Sequence, residues 1–209
     1  YFSKHLHILL AFPNTYFADL NAKGKLNNLE SVTNEVKLMM DPSADPFAAP
    51  ANPDDVPAKF GASDVQDLNW VQLLNAYSCT ECGRCTSSCP ANQTGKKLSP
   101  RKIMMDTRDR LEEVGRNIDL NKGVFVDDGK SLLNDYITPE ELWACTTCNA
   151  CVEECPINIS PLSIIIDMRR YLVMEQSAAP MELNNMMSNS ENNGAPWRYN
   201  QMDRLNWVN

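Results

Sequence analysis

All eight cysteines of this 209-residue chain fall into two copies of one pattern, Cys79, Cys82, Cys85, Cys89-Pro90 and Cys145, Cys148, Cys151, Cys155-Pro156. Structural zinc is held by two Cys-x2-Cys pairs a dozen or more residues apart, and a third cysteine three residues on crowds a tetrahedral ion. Disulfides would require an oxidising compartment and would explain neither the duplication nor the prolines. Four thiolates per copy suit an iron–sulfur cube, so the pattern implies two [4Fe-4S] clusters. The proline after each fourth cysteine turns the chain out of the loop and removes an amide that would otherwise need a partner.

The spacing C-x2-C-x2-C-x3-C-P is that of bacterial ferredoxins, in which the fourth cysteine crosses to the other cube. The expected ligand sets are therefore Cys79, Cys82, Cys85 and Cys155 for one cluster, and Cys145, Cys148, Cys151 and Cys89 for the other. Eight thiolates satisfy eight irons. No coordination site is left open to a substrate and no thiol is spare for disulfide exchange, which argues against catalysis within the chain.

The repeat extends beyond the cysteines. Ser99-Pro100 aligns with Ser160-Pro161, Ile103 with Ile164, Asp106 with Asp167, Arg108 with Arg169 and Leu111 with Leu172. Four helices follow from their start signals. Ser63 with Gln66 forms a capping box before Val65, Leu68, Val71 and Leu74, a stripe that runs into Cys79. Ser99-Pro100 opens a helix with Gly115 at its C-terminal cap; Thr138-Pro139-Glu140-Glu141 opens a short one entering Cys145; Ser160-Pro161 opens the fourth. Val124 and Val126 are the only strand candidate. The fold class is mainly α: an alpha-helical ferredoxin of two pseudo-symmetric helix, cysteine-loop, helix units sharing one core.

Around this core, expected over 61–175, lie two weaker regions. Residues 1–60 read as an arm and linker, with five prolines and four aspartates between Asp41 and Pro57 that no regular element can cross. Residues 176–209 read as an Asn-rich tail unable to order itself by burial, with Trp197, Leu205 and Trp207 as anchors. The longest apolar run is the five residues Ile8 to Phe12, so no segment spans a bilayer as a helix. The absence of an initiator Met points to a piece of a longer protein.

A net charge of -8 makes nucleic acid a poor partner, and with eight glycines and no Gly-rich phosphate loop the chain offers no nucleotide or flavin site. Locally, Arg84, Lys96, Lys97, Arg101 and Lys102 stand without an acid near the first motif, and Glu140, Glu141, Glu153 and Glu154 without a base near the second. These read as two docking faces of opposite sign or as ordinary solvated surface. If they act on the clusters, the first should have the higher potential. Trp70, Tyr77, Trp143, Ile103 and Ile164 are the candidates to bury the cubes. His5 and His7, at i and i+2, face different sides of a helix and read as surface or membrane-interface packing, or as a haem or quinone contact.

The double motif, the Ser-Pro helix starts and the tail Pro196-Trp197-Arg198 with Arg204 and Trp207 resemble the helical ferredoxin domain of the heterodisulfide reductase C subunit family. The resemblance covers about Gly61 to Trp207 and is specific for clusters, not for a substrate. Ser3-Lys4-His5-Leu6-His7 is similar to the segment after a cytochrome b-like membrane domain in bacterial relatives. It implies an electron-transfer part of an oxidoreductase, carrying single electrons between a quinone- or haem-linked membrane donor and a heterodisulfide reductase-like partner, on the cytoplasmic side of the inner membrane. Catalytic relatives carry Cys-Cys-Gly motifs; this chain has no adjacent cysteine pair, so that chemistry would come from another polypeptide. Alternatives are the iron–sulfur subunit of a glycolate, lactate or glycerol-3-phosphate dehydrogenase, and a structural metal-binding scaffold.

Overall fold

The computed structural model describes residues 5–22, 24–41 and 59–208; the proline-rich stretch lies outside the described residues. Two compact units result, one ending at Tyr171 and one beginning at Leu172. No strand forms among the described residues, and a single bridge joins Leu133 to Ile137, so Val124 and Val126 are not a strand.

In the first unit α1 (Leu6–Tyr16) and α2 (Glu30–Met40) precede the cysteine-bearing part. There α3 (Trp70–Ser78) leads into the first loop with α4 (Arg84–Ser87), then α5 (Pro90–Gln93) and the long α6 (Pro100–Leu120). The second copy repeats the order as α7 (Pro139–Ala144), α8 (Ala150–Glu153) and α9 (Pro161–Arg170). The inward faces supply a core of Val65, Ala76, Ile103, Met104, Leu142, Ile164, Ile165 and Met168, all essentially solvent-free. Each copy is braced by the other: Gln72 of α3 donates to Asp167 of α9 at 2.7 Å, and Lys102 of α6 pairs with Glu141 of α7 at 2.9 Å.

Two helix ends differ from the sequence reading. The Ser63/Gln66 box does not form. Asp64 and Asp67 instead cap a 3-10 turn, Val65–Asp67, and a second box, Asn69 with Gln72, starts α3. Gly115 does not stop α6, which runs on to Leu120 because Asn117 just beyond it holds both the amide and the carbonyl of Val126 and fastens the following loop to the helix. A close approach does require glycine at Gly61: with φ +83, an added Cβ would collide with the backbone of Asp167 and Tyr171.

The second unit holds α10 (Met181–Asn193) and a 3-10 helix, Gln201–Val208. The Asn-rich segment is therefore helical although none of its residues is buried. Local bonds support it, Asn192 to the Ser188 carbonyl at 2.9 Å and Ser190 to the Met186 carbonyl at 2.8 Å, and Gly194 closes it in the left-handed region. Trp197, Leu205 and Trp207 are exposed and do not anchor it.

Candidate metal centres

The two copies deliver their cysteines in matching conformations. Cys79 and Cys145 are the first extended residues after α3 and α7, at φ/ψ of -67/122 and -71/126. Two residues on, Glu81 and Thr147 both take φ 57, and Gly83 and Asn149 take φ 81 and 61 before α4 and α8. Paired left-handed residues curl each loop so that its thiols converge on one side. Amides also reach sulfur: Thr147 donates to Cys145 Sγ at 3.4 Å and Ile159 to Cys155 Sγ at 3.3 Å.

One cavity is lined by Cys79, Cys82, Cys85 and Cys155, closed by Met104 and Ile159 and reached by Cys151 from the other copy. Burial pushes the Cys151 thiol up to about 12, helped by the nearby Cys145, Cys85, Cys89 and Cys148. Cys145 is raised by burial and by Cys89 and Cys148. Cys155 thus stands with the first three cysteines of the other motif, and Cys89 acts electrostatically on Cys145 and Cys151. Cys82 and Cys148 are exposed, Cys89 and Cys151 buried.

The donor set fits the iron–sulfur cube. Thiolates around a zinc ion at about 2.3 Å lie within about 4 Å of each other. Among the described residues no three His, Cys, Asp or Glu side chains are disposed to share a single ion, whereas four thiols encircle a cavity. Burial raises Cys79, Cys85, Cys145 and Cys151, so the thiols are protonated near neutral pH and metal binding must release those protons.

The surroundings differ between the copies. Arg108 of α6 pairs with Glu81 in the first loop at 2.7 Å. Its counterpart Arg169 of α9 meets no carboxylate among the described residues; it donates to the carbonyls of Leu142, at 3.0 and 2.5 Å, and Cys145, at 2.5 Å, beneath the Trp143 ring at 4.9 Å. Ile103 and Ile164 are buried but do not line the cavity, and Trp70 is 57% exposed and packs edge-on against Phe17 at 4.7 Å. Of the five cations read as one patch, Lys97 crosses to Glu140 at 2.7 Å and Lys102 to Asp106 and Glu141, so the two charge clusters partly cancel across the copies.

Sequence reasoning missed Asn14 and the lining residues Met104, Ile157 and Ile159. Asn14, on α1, is 1% exposed, donates to the Ile157 carbonyl at 2.8 Å and leaves its Oδ1 unpaired. A polar residue just beyond the apolar run Ile8 to Phe12 was its only signal.

Residues 78–159 match the 4Fe-4S dicluster domain. The chain is 32% identical, over 98% of its length, to the probable iron-sulfur-binding oxidoreductase FadF of Bacillus subtilis, of which it covers 30%. It is 34% identical, over 74% of its length, to a probable membrane-anchored ferredoxin of Chromohalobacter salexigens, covering 25% of it. It is 35% identical, over 51% of its length, to the C subunit of the ferredoxin/F(420)H(2)-dependent CoB-CoM heterodisulfide reductase of Methanosarcina acetivorans, covering 52% of it. The chain therefore spans between a quarter and about half of these relatives.

Proposed function

We propose a specific division of labour for this chain, which belongs with the helical 4Fe-4S dicluster proteins that include the heterodisulfide reductase C subunit. It is an electron-transfer protein whose two [4Fe-4S] clusters supply one-electron chemistry. In the proposed assignment Cys79, Cys82, Cys85 and Cys155 hold one cluster, and Cys145, Cys148, Cys151 and Cys89 the other. The observation that carries it is the cavity in which Cys155 of the second motif joins the three leading thiols of the first. Met104 and Ile159 exclude water there, and the amides of Thr147 and Ile159 stabilise negative charge on sulfur. The working part is 61–175, with 1–60 as its arm and 176–209 as its tail.

In this reading electrons reach the chain from a quinone- or haem-linked, cytochrome b-like membrane domain and leave for a Cys-Cys-Gly-containing partner, on the cytoplasmic side of the inner membrane. The relatives named as a membrane-anchored ferredoxin and as part of a heterodisulfide reductase support it. So does α1, which presents Leu9, Phe12 and Tyr16 to the outside, although no helix among the described residues is long and apolar enough to cross a membrane. Replacing Cys89 by Ser in anaerobically purified protein tests the ligand sets. The cluster of Cys145, Cys148 and Cys151 should be lost or converted in its electron paramagnetic resonance spectrum while the other persists. Loss of the Cys79, Cys82, Cys85 signal instead would overturn the crossed assignment.

A further inference from the structure

The two thiol sites are near copies, yet their mouths are not. Arg84 and Arg101 both line the cavity of Cys79, Cys82, Cys85 and Cys155, and both are exposed. The Arg101 guanidinium lies over the loop: a Cβ added at Gly83 would stand 3.9 Å from its Nη1. At the corresponding places in the second copy are Ala150 and Leu162, with Glu153 and Glu154 close by in sequence.

Most other basic groups of the core are matched. Arg108 pairs with Glu81, Arg110 with Asp64 and Asp128, Arg116 with Glu112, Arg170 with Asp167, and Lys97, Lys102 and Lys130 with carboxylates. Among the described residues the Arg84 and Arg101 guanidiniums have no such partner. Arg101 also sits in the first turn of the 21-residue α6, where a cation opposes the helix dipole and costs helix stability. A chain of net charge -8 thus leaves two cations unneutralised around its exposed Cys82, at a position where one of them weakens its own helix.

We infer that the rim formed by Arg84, Arg101, Gly83 and Cys82 is the docking surface for an acidic protein carrying a one-electron redox centre. The inference rests on the reading that these thiols hold a cluster. Docking brings the partner's centre against Cys82, the most exposed thiol of the set, and one electron crosses: the chain is oxidised by one electron and the partner's acceptor is reduced by one, or the reverse. The opposed charges speed encounter and hold the register, while the second mouth, with no cation at either matching position, offers no such attraction.

A matched pair of probes separates charge from chemistry: native cytochrome c, which is basic, and succinylated cytochrome c, which has the same haem and an acidic surface. The reduced holoprotein is mixed with each at low ionic strength and haem reduction is followed by stopped flow. Arg84→Glu and Arg101→Glu should each slow reduction of the succinylated probe by about threefold or more and flatten its decline with salt. Lys96→Glu, an equal change of net charge on an exposed lysine that does not line the cavity, should slow it by less than half as much. Arg84→Gln and Arg101→Gln serve where reversal impairs folding, and the visible cluster absorption of each variant is checked first. Equal slowing by Lys96→Glu, or unchanged rates in the arginine variants, overturns the docking surface alone. A wild-type holoprotein with no cluster absorption overturns the cluster reading beneath it.

Discussion

Arg110 is the part of this fold whose removal has the most calculable consequence. Its side chain is 0% exposed inside α6, yet it carries a full charge. Nε and Nη2 donate to Asp64 at 3.1 and 2.7 Å, Nη1 and Nη2 to Asp128 at 2.5 and 3.0 Å, and Nη2 to the Lys130 carbonyl at 2.8 Å. Asp64 in turn accepts from the amides of Val65 and Leu132, so one guanidinium ties α6 to the entry of α3 and to the 128–132 strap. Breaking a buried pair by removing one partner costs about 3–5 kcal/mol. Asp64 and Asp128 keep 17% and 24% of their side-chain exposure and remain partly hydrated, which places Arg110→Met near the lower end, about 3 kcal/mol. Unfolding of a cluster protein is irreversible once iron is lost, so the measurable is the rate of cluster bleaching in guanidinium chloride. About 3 kcal/mol corresponds to about 150-fold if the triad is broken in the transition state. Arg110→Lys, with one point charge and no fork, should fall between. A bleaching rate for Arg110→Met within about twofold of the parent protein's would refute the assignment of Arg110 as a structural clasp.

Three further outcomes follow from individual contacts. Gly61→Ala meets backbone from two directions at φ +83 and should destabilise by more than about 2 kcal/mol, whereas Gly95→Ala, at φ +78 with open space around it, should cost only about 1–2 kcal/mol; equal thermal shifts for the two would contradict the close approach at Gly61. Acid should weaken the fold below about pH 4. Hydrogen bonds from Arg110 hold Asp128 below its usual range and Tyr136 and Lys130 hold Glu113 down, while at Asp67 and Glu141 hydrogen bonds outweigh the upward push of burial; groups with lowered folded pKa values stabilise above their unfolded values and lose this as pH falls through the folded ones. Asp106, raised mainly by burial, works in the opposite sense and leaves a net loss from the other four, so a melting temperature flat from pH 6 to about 3 would be the contrary result. Anaerobic chelation of iron should raise amide exchange in 79–89 and 145–155 before it does in α6 and α9, because α4 buries no residue and the loops depend on ligation; uniform exchange across the chain would contradict this order.

What the sequence could disclose was what rests on local chemistry. The helix starts at Ser99, Thr138 and Ser160 were legible because each cap is a bond within four residues: Ser99 Oγ to the Lys102 amide, Thr138 Oγ1 to that of Glu141, Ser160 Oγ to that of Ser163, all at 3.3 Å. In each motif the grouping of the first three cysteines was legible for the same reason, since a short loop fixes its own thiols, whereas the side to which the fourth turns depends on how the copies pack. The Ser63/Gln66 box failed because Asn69/Gln72 satisfies the same pattern, and the choice falls to Asp64, which is engaged by Arg110 46 residues away. Gly115 passed silently into α6 because the αL residue it could supply was not required. Asn14 was illegible since only the docking of α1 beside Ile157 buries it.

Charge shows most plainly how counting residues misleads. Five cations near the first motif argue for a positive field on that cluster, but pairing removes Lys97 and Lys102, and the Arg108–Glu81 bridge adds a neutral dipole. What remains there, Arg84, Lys96 and Arg101, is at the surface, where salt screens it over about 8 to 10 Å. At the second site Arg169 is half-buried, carries no carboxylate partner among the described residues and is bonded to the carbonyl of a thiol-bearing residue, Cys145. A half-buried charge acts through a lower effective dielectric than one at the surface, so a count of cations does not rank the two sites. The surface arginines are left with the task that surface charge performs best, which is choosing and steering a partner.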